Sequence, residues 1–211
     1  MLSQSSLFLA AQELAGIQAR YANKGIGLSQ AALCGSKDFM EWRHYPINDL
    51  VDLESGYEFY YHAHTAKEMP KEEHGHFHVF KRDQKNPDRF HHLIGIALNQ
   101  KGLPVRLFTT NQWVTGETYV PSKKVLRSVK DFDMTVKGKL SPLAKWISAM
   151  MKLFYVEICT LVEGRDEKLA KLNEKIGNLE VVLESHKYFV LTQCKIDLMN
   201  RLSKHLLVES T

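Results

Sequence analysis

Two stretches of this chain alternate with period two and place histidine at every second position. In Tyr57-Glu-Phe-Tyr-Tyr-His-Ala-His-Thr65 an extended backbone puts Tyr60, His62 and His64 on one face, with Phe59, Tyr61 and Ala63 on the other. In His74-Gly-His-Phe-His-Val-Phe80 the same rule gathers His74, His76, His78 and Phe80, with Gly75, Phe77 and Val79 opposite. Both stretches are rich in aromatic residues, which favour strands. Paired antiparallel around a connection of roughly 65–73, they bring His64 near His74, His62 near His76 and His78 opposite Tyr60. The pattern predicts a hairpin with one face lined by imidazoles.

The surrounding sequence extends this hairpin into a sheet. Phe90-His-His-Leu-Ile-Gly-Ile-Ala-Leu98, a turn through Gly102, and Val105-Arg-Leu-Phe-Thr-Thr110 read as two further strands. Their short connections predict a four-stranded antiparallel meander over 57–120. Residues 1–45 read as helix and loop, with Leu7, Ala11, Leu14 and Ile17 on one stripe, a cap at Ser5 or Ser6, and an end near Asn23-Lys24-Gly25. Residues 121–211 read as helical. Ser141-Pro142 opens an apolar segment that runs to 162. Beyond it, Leu169, Leu172, Ile176, Leu179, Leu183, His186 and Val190 follow one another at spacings of three and four, and a last helix carries Leu191, Cys194, Leu198, Leu202 and Leu206. These stripes are expected to be internal core, the alternative being a homodimer seam through the C-terminal helices. The expected class is α+β: a single domain over 1–211, with an antiparallel β-meander flanked by an N-terminal helix and a C-terminal helical segment.

Composition removes several classes of function. At 44% hydrophobic and 25% charged the chain is ordinary globular protein. Its net charge of +4 equals that of 123–139 alone, where six Lys or Arg meet two Asp. That stretch reads as a solvated face, and no nucleic-acid motif accompanies it. Lys145, Lys152 and Glu157 interrupt the most apolar segment, which argues against a membrane span. The three cysteines, Cys34, Cys159 and Cys194, are widely spaced, and the N-terminus lacks the basic start of a signal peptide; the expected compartment is cytoplasmic. No Gly-rich phosphate loop, nucleophile elbow, Cys-x-x-Cys or His-Glu-x-x-His is present.

Seven of the ten histidines lie between His62 and His92. Neutral imidazole is a common transition-metal ligand, usually joined by a carboxylate or an open position. The candidate metal ligands are His62, His64, His74, His76 and His78 with Glu68; Glu58, Glu72 and Glu73 are further carboxylates nearby. Iron, zinc, manganese and nickel all suit such a set. An open position would activate water or dioxygen on a small organic substrate. Glu117 is the candidate general base or additional ligand, and Tyr60, Phe80 and Trp113 the candidate pocket wall, with Tyr60 also a candidate catalytic side chain. Trp42-Arg43-His44-Tyr45-Pro46 is placed near the same mouth, Arg43 to grip a carboxylate or phosphate and His44 as a sixth imidazole. Two other readings stay open: a non-enzymatic protein that binds haem, a metal or a small ligand, and a helical interaction module with a structural histidine cluster.

Gly56, His62-Ala-His64, Glu68 and Gly75 have the spacing of the first cupin motif. The resemblance implies that His62, His64 and Glu68 hold a metal within a small β-barrel. The second cupin motif, with its Pro-x-Gly and fourth histidine, is absent, and four strands are too few for that barrel. A second likeness covers more of the chain. Glu41-Trp-Arg-His-Tyr-Pro46, Tyr60-Tyr-His-Ala-His64, Glu73-His-Gly-His-Phe-His78 and Asn111-Gln-Trp-Val-Thr-Gly-Glu117 resemble an uncharacterised bacterial family, a domain of unknown function of about this length. That likeness implies a bacterial source and a single-domain unit, and carries no activity.

Overall fold

A computed structural model of the chain describes residues 2–36, 38–65 and 70–207. The chain opens with α1 (Gln4–Asn23) and a short α2 (Leu28–Ala32), followed by strands β1 (Tyr45–Val51), β2 (Tyr57–His62), β3 (Glu73–Arg82), β4 (Phe90–Asn99) and β5 (Pro104–Thr110). Helices α3 (Gln112–Thr115), α4 (Ser122–Lys130), α5 (Ser141–Leu153), α6 (Tyr155–Ile176) and α7 (Leu179–Leu183) come next, then β6 (Val190–Lys195) and α8 (Leu198–Leu206). The strands form one antiparallel sheet in the order β1 to β6. The α+β class and the meander are as the sequence predicts.

The sheet has two more strands than the alternation predicts. β1 starts at the last residue of the region expected to be helix and loop and runs on before residue 57, where the predicted sheet begins; β6 lies inside the segment expected to be helical. Val190-Leu-Thr-Gln-Cys-Lys195 pairs with β5, where Leu107 faces Cys194 and Thr109 faces Thr192. The spacings of three and four across 169–190 do not form one helix. Gly177, with φ of 79°, caps α6 in the left-handed conformation, and the Asn178 side chain accepts from Glu180 and Val181 to start α7. Leu169 then packs with Val182, Leu183 and Leu191 in a small core. At the other end of the chain the α1 cap is Ser3, whose hydroxyl accepts from the Ser6 N–H.

Alternation divides the sheet into two faces of different chemistry. Phe59, Tyr61, Phe77, Val79, Ile94, Ile96 and Leu107 face the main core, where α1 and α5 supply Leu14, Ile17, Trp146 and Ile147. The opposite face carries Tyr60 beside His78, His62 beside His76, and Phe108 beside Gly95. β1 and β6 are the sheet edges, so the described residues form an open meander and not the closed barrel implied by the cupin-like spacing. Among the described residues no helix is long and apolar enough to cross a membrane.

Gly95 sets the floor of the second face. A Cβ there would lie 2.4 Å from the Phe108 ring, so only glycine lets that ring lie flat on β4. Gly95→Ala is expected to push Phe108 into the imidazoles and lower stability by about 1–3 kcal/mol in urea unfolding. An unchanged urea midpoint would show that the ring has room to move.

Candidate metal centre

The hairpin register sets the cluster. β2 and β3 pair Tyr60 with His78 and His62 with His76, two of the three contacts that alternation predicts for these strands; the third, His64 with His74, does not form. The ring centroids are 4.6 Å apart for His62 and His76, 4.8 Å for His76 and His78, and 5.2 Å for His62 and His78. Each ring offers a nitrogen such that the three atoms lie within 4.8 Å of one another, a geometry able to hold a metal ion. All three residues are buried.

Hydrogen bonds order the rings. Nε2 of His62 and Nε2 of His76 share one bond of 2.8 Å, so one of the two nitrogens carries its proton. Nδ1 of His78 pairs with Nε2 of His92 at 3.0 Å, leaving the other nitrogen of His78 for an ion. His92 continues through its Nδ1 to the Thr110 hydroxyl at 3.4 Å, and its backbone N–H donates to the Glu117 carboxylate at 2.5 Å. A metal-bound imidazole commonly has its second nitrogen tied in this way, which fixes the ring's orientation.

Burial fixes the charge state. It pushes His62 down to about 3, helped by the neighbouring His64 and His44, and pushes His92 down to about 3. His76 and His78 are held well below the usual histidine range, again chiefly by burial and then by the adjacent imidazoles. The rings are therefore neutral near pH 7, the form that binds metals. Burial raises Glu117 to about 7, against the opposing pull of the His92 N–H and Arg165.

A cavity of about 430 Å³ opens beside the cluster, with His64 and His76 in its wall. Trp42, Phe108 and Phe189 provide aromatic surfaces. Arg106 grips Glu73 through Nε (2.6 Å) and a terminal nitrogen (2.8 Å), and its other terminal nitrogen donates to Gln193 at 2.8 Å.

The expected site residues separate into distinct places. His64 lies on the cluster face, 4.8 Å from His62 and 5.2 Å from His76 by ring centroid, with Trp42 over it. His74 does not share that face. Between Glu73 and Gly75, β3 spends two residues against one step of β4, and this bulge reverses the alternation. His74 turns to the core side, where its Nδ1 bonds the Tyr61 hydroxyl at 2.6 Å. Glu73 takes the cavity side instead. Glu68 falls outside the described residues. Tyr60 is buried and stacked on His44 at 3.6 Å, and burial raises its hydroxyl pKa. His44 in turn bonds Asp49 at 3.1 Å, so it joins the cluster from its edge, 5.6 Å from His62. Glu117 reaches the group through the His92 backbone. Trp113 is outside the cavity wall; it stacks on His186 and donates its Nε1–H to the Tyr188 carbonyl. Phe80 packs on Tyr60 and His92 behind the cluster.

Sequence reasoning missed His92, Arg106 and the walls Phe108 and Phe189, while Trp42 lies at the mouth as the reading of 42–46 expects. Only His92 had a signal, the adjacent pair His91-His92. A bulge at Leu93 sends His92 to the cluster face, while His91 turns to Ser128 on the other side.

Residues 9–196 match the profile of a family described as a domain of unknown function, DUF6969. The chain belongs to this family. The DUF6969 match spans every strand of the sheet and the whole imidazole cluster. No curated protein and no solved structure matches the chain.

Proposed function

We propose that His62, His76 and His78 hold a divalent transition-metal ion and that the protein is a metal-dependent enzyme acting on a small organic molecule in the adjoining cavity. The carrying observation is the convergence of three buried, neutral imidazoles within ligand distance of one another, beside a cavity that His76 itself lines. Three neutral nitrogen ligands suit zinc, iron or nickel. They leave the ion its full positive charge, which strongly acidifies a bound water, and they leave coordination positions for water, dioxygen or substrate. His92 and Glu117 support the site from behind, and His64 stands beside it as a further imidazole. In this reading the hydrophobic walls exclude solvent from the reacting group, and the ion supplies the chemistry.

Metal analysis of protein purified without a polyhistidine tag or nickel column tests the proposal, with growth media supplemented separately with iron, zinc, manganese or nickel. The expected content is about one ion per chain under at least one supplement, and less than about 0.1 per chain under all of them would overturn the reading.

A further inference from the structure

The cavity has a chemistry of its own, which narrows what can enter it. We propose that it binds an uncharged, planar aromatic molecule bearing one small polar group. The inference rests on the proposed function only for what happens to that molecule, since binding itself needs no metal.

Planarity follows from the walls. The Phe108 ring lies flat over Gly95 and meets the His76 ring edge-on at 90° and 5.2 Å. Phe189 meets His64 edge-on at 5.8 Å, and Trp42 covers His64 at 4.1 Å. Trp42 is 52% exposed, an unusual position for the largest side chain, and its backbone has a φ of 66°. Its N–H donates to the Ala63 carbonyl at 2.8 Å, holding this left-handed conformation at the mouth of the cavity. Aromatic faces and edges arranged in this way favour a flat ring over an aliphatic one of equal size.

Absence of charge follows from the polar groups. Arg106 and Glu73 cancel one another in a bidentate pair, and Gln193 takes a further N–H of Arg106. Among the described residues that line the cavity, a carboxylate would meet no uncompensated cation. The single polar group has a partner waiting. Nδ1 of His76 is buried with no hydrogen-bond partner among the described residues, and His76 lines the cavity. A hydroxyl or N–H on the ligand would satisfy it.

The test titrates metal-free protein with phenol, cyclohexanol and benzoate, followed by ligand-observed NMR. Phenol is expected to bind with a dissociation constant of about 1 mM or below, and cyclohexanol and benzoate about tenfold more weakly. Trp42→Ala, at an exposed side chain, should weaken phenol by about tenfold. Glu73→Gln leaves the Arg106 charge uncancelled and should strengthen benzoate by about tenfold. Benzoate or cyclohexanol binding the wild type as well as phenol, no phenol binding, or phenol indifferent to Trp42→Ala would each overturn the inference. Metal content is measured on the same preparation. Phenol binding without metal uptake leaves this inference standing and removes the metal reading, while metal uptake without phenol binding does the reverse.

Discussion

Acidified from pH 7 to pH 5, the metal-free protein is expected to lose most of its stability. His62, His91 and His92 have their pKa values pushed by burial to about 3, 4 and 3, from 6.5 in the unfolded chain. Each is neutral when folded and free to charge when unfolded, so below pH 6.5 the unfolded chain binds more protons and stability falls with pH. At pH 5 the loss is about 2 kcal/mol for each of these three rings. His76 and His78 are depressed in the same sense and add to it. Glu117 opposes them. Its folded value of about 7 lies above the unfolded 4.5, so its protonation stabilises the fold on acidification, by about 2 kcal/mol over this range. The imidazoles outweigh that single carboxyl, and a natural domain has only about 5–15 kcal/mol to lose. Near-UV circular dichroism during thermal unfolding at each pH would show a melting temperature that drops below pH 6.5. A melting temperature unchanged between pH 7 and pH 5 would mean that the rings are not buried neutral.

His78→Ala is expected to weaken metal binding by at least about a hundredfold, and His74→Ala to leave it unchanged. Zinc bound by four ligands gains about 10–16 kcal/mol, so each ligand is worth about 3 kcal/mol. His78 is the ring that both neighbours share, within 5.2 Å of His62 and 4.8 Å of His76. His74 differs from it in sequence only by position along the same alternating run, yet the bulge turns it into contact with Tyr61. Isothermal titration with zinc or nickel separates the two variants, after circular dichroism has shown that both are folded. Equal losses would refute the bulge, and no loss in His78→Ala would remove His78 from the centre.

The residues that could be read correctly owe this to local regularity. Tyr60, His62, His76 and His78 lie on an uninterrupted ladder, so period two alone places them opposite one another. The stripe of α1 and the antiparallel order of β2 to β5 were legible for the same reason. His74 was misread because one extra residue in β3 reverses every side chain beyond it, and nothing in His74-Gly75-His76 distinguishes a bulge from a regular strand. β6 was misread because Leu191 and Cys194 also fit a helical spacing, and its strand character comes from pairing with Leu107 and Thr109, far away in the chain. The walls Phe108 and Phe189 were hidden by the same distance. Phe189 meets His64 from far along the chain, a contact that no local pattern encodes.

The bond between Nε2 of His62 and Nε2 of His76 bears on how quickly an ion could enter. While one proton sits between those nitrogens, the two rings cannot both present a lone pair to the same point. The proton has first to reappear on an Nδ1, and the unpartnered Nδ1 of His76 is available to take it. Each ring keeps one N–H throughout, so loading exchanges tautomers and liberates no acid, unlike loading at thiolate sites. Held by that bond, the cluster is a fastened clasp. In the proposed metal reading, that clasp would have to open before an ion is captured.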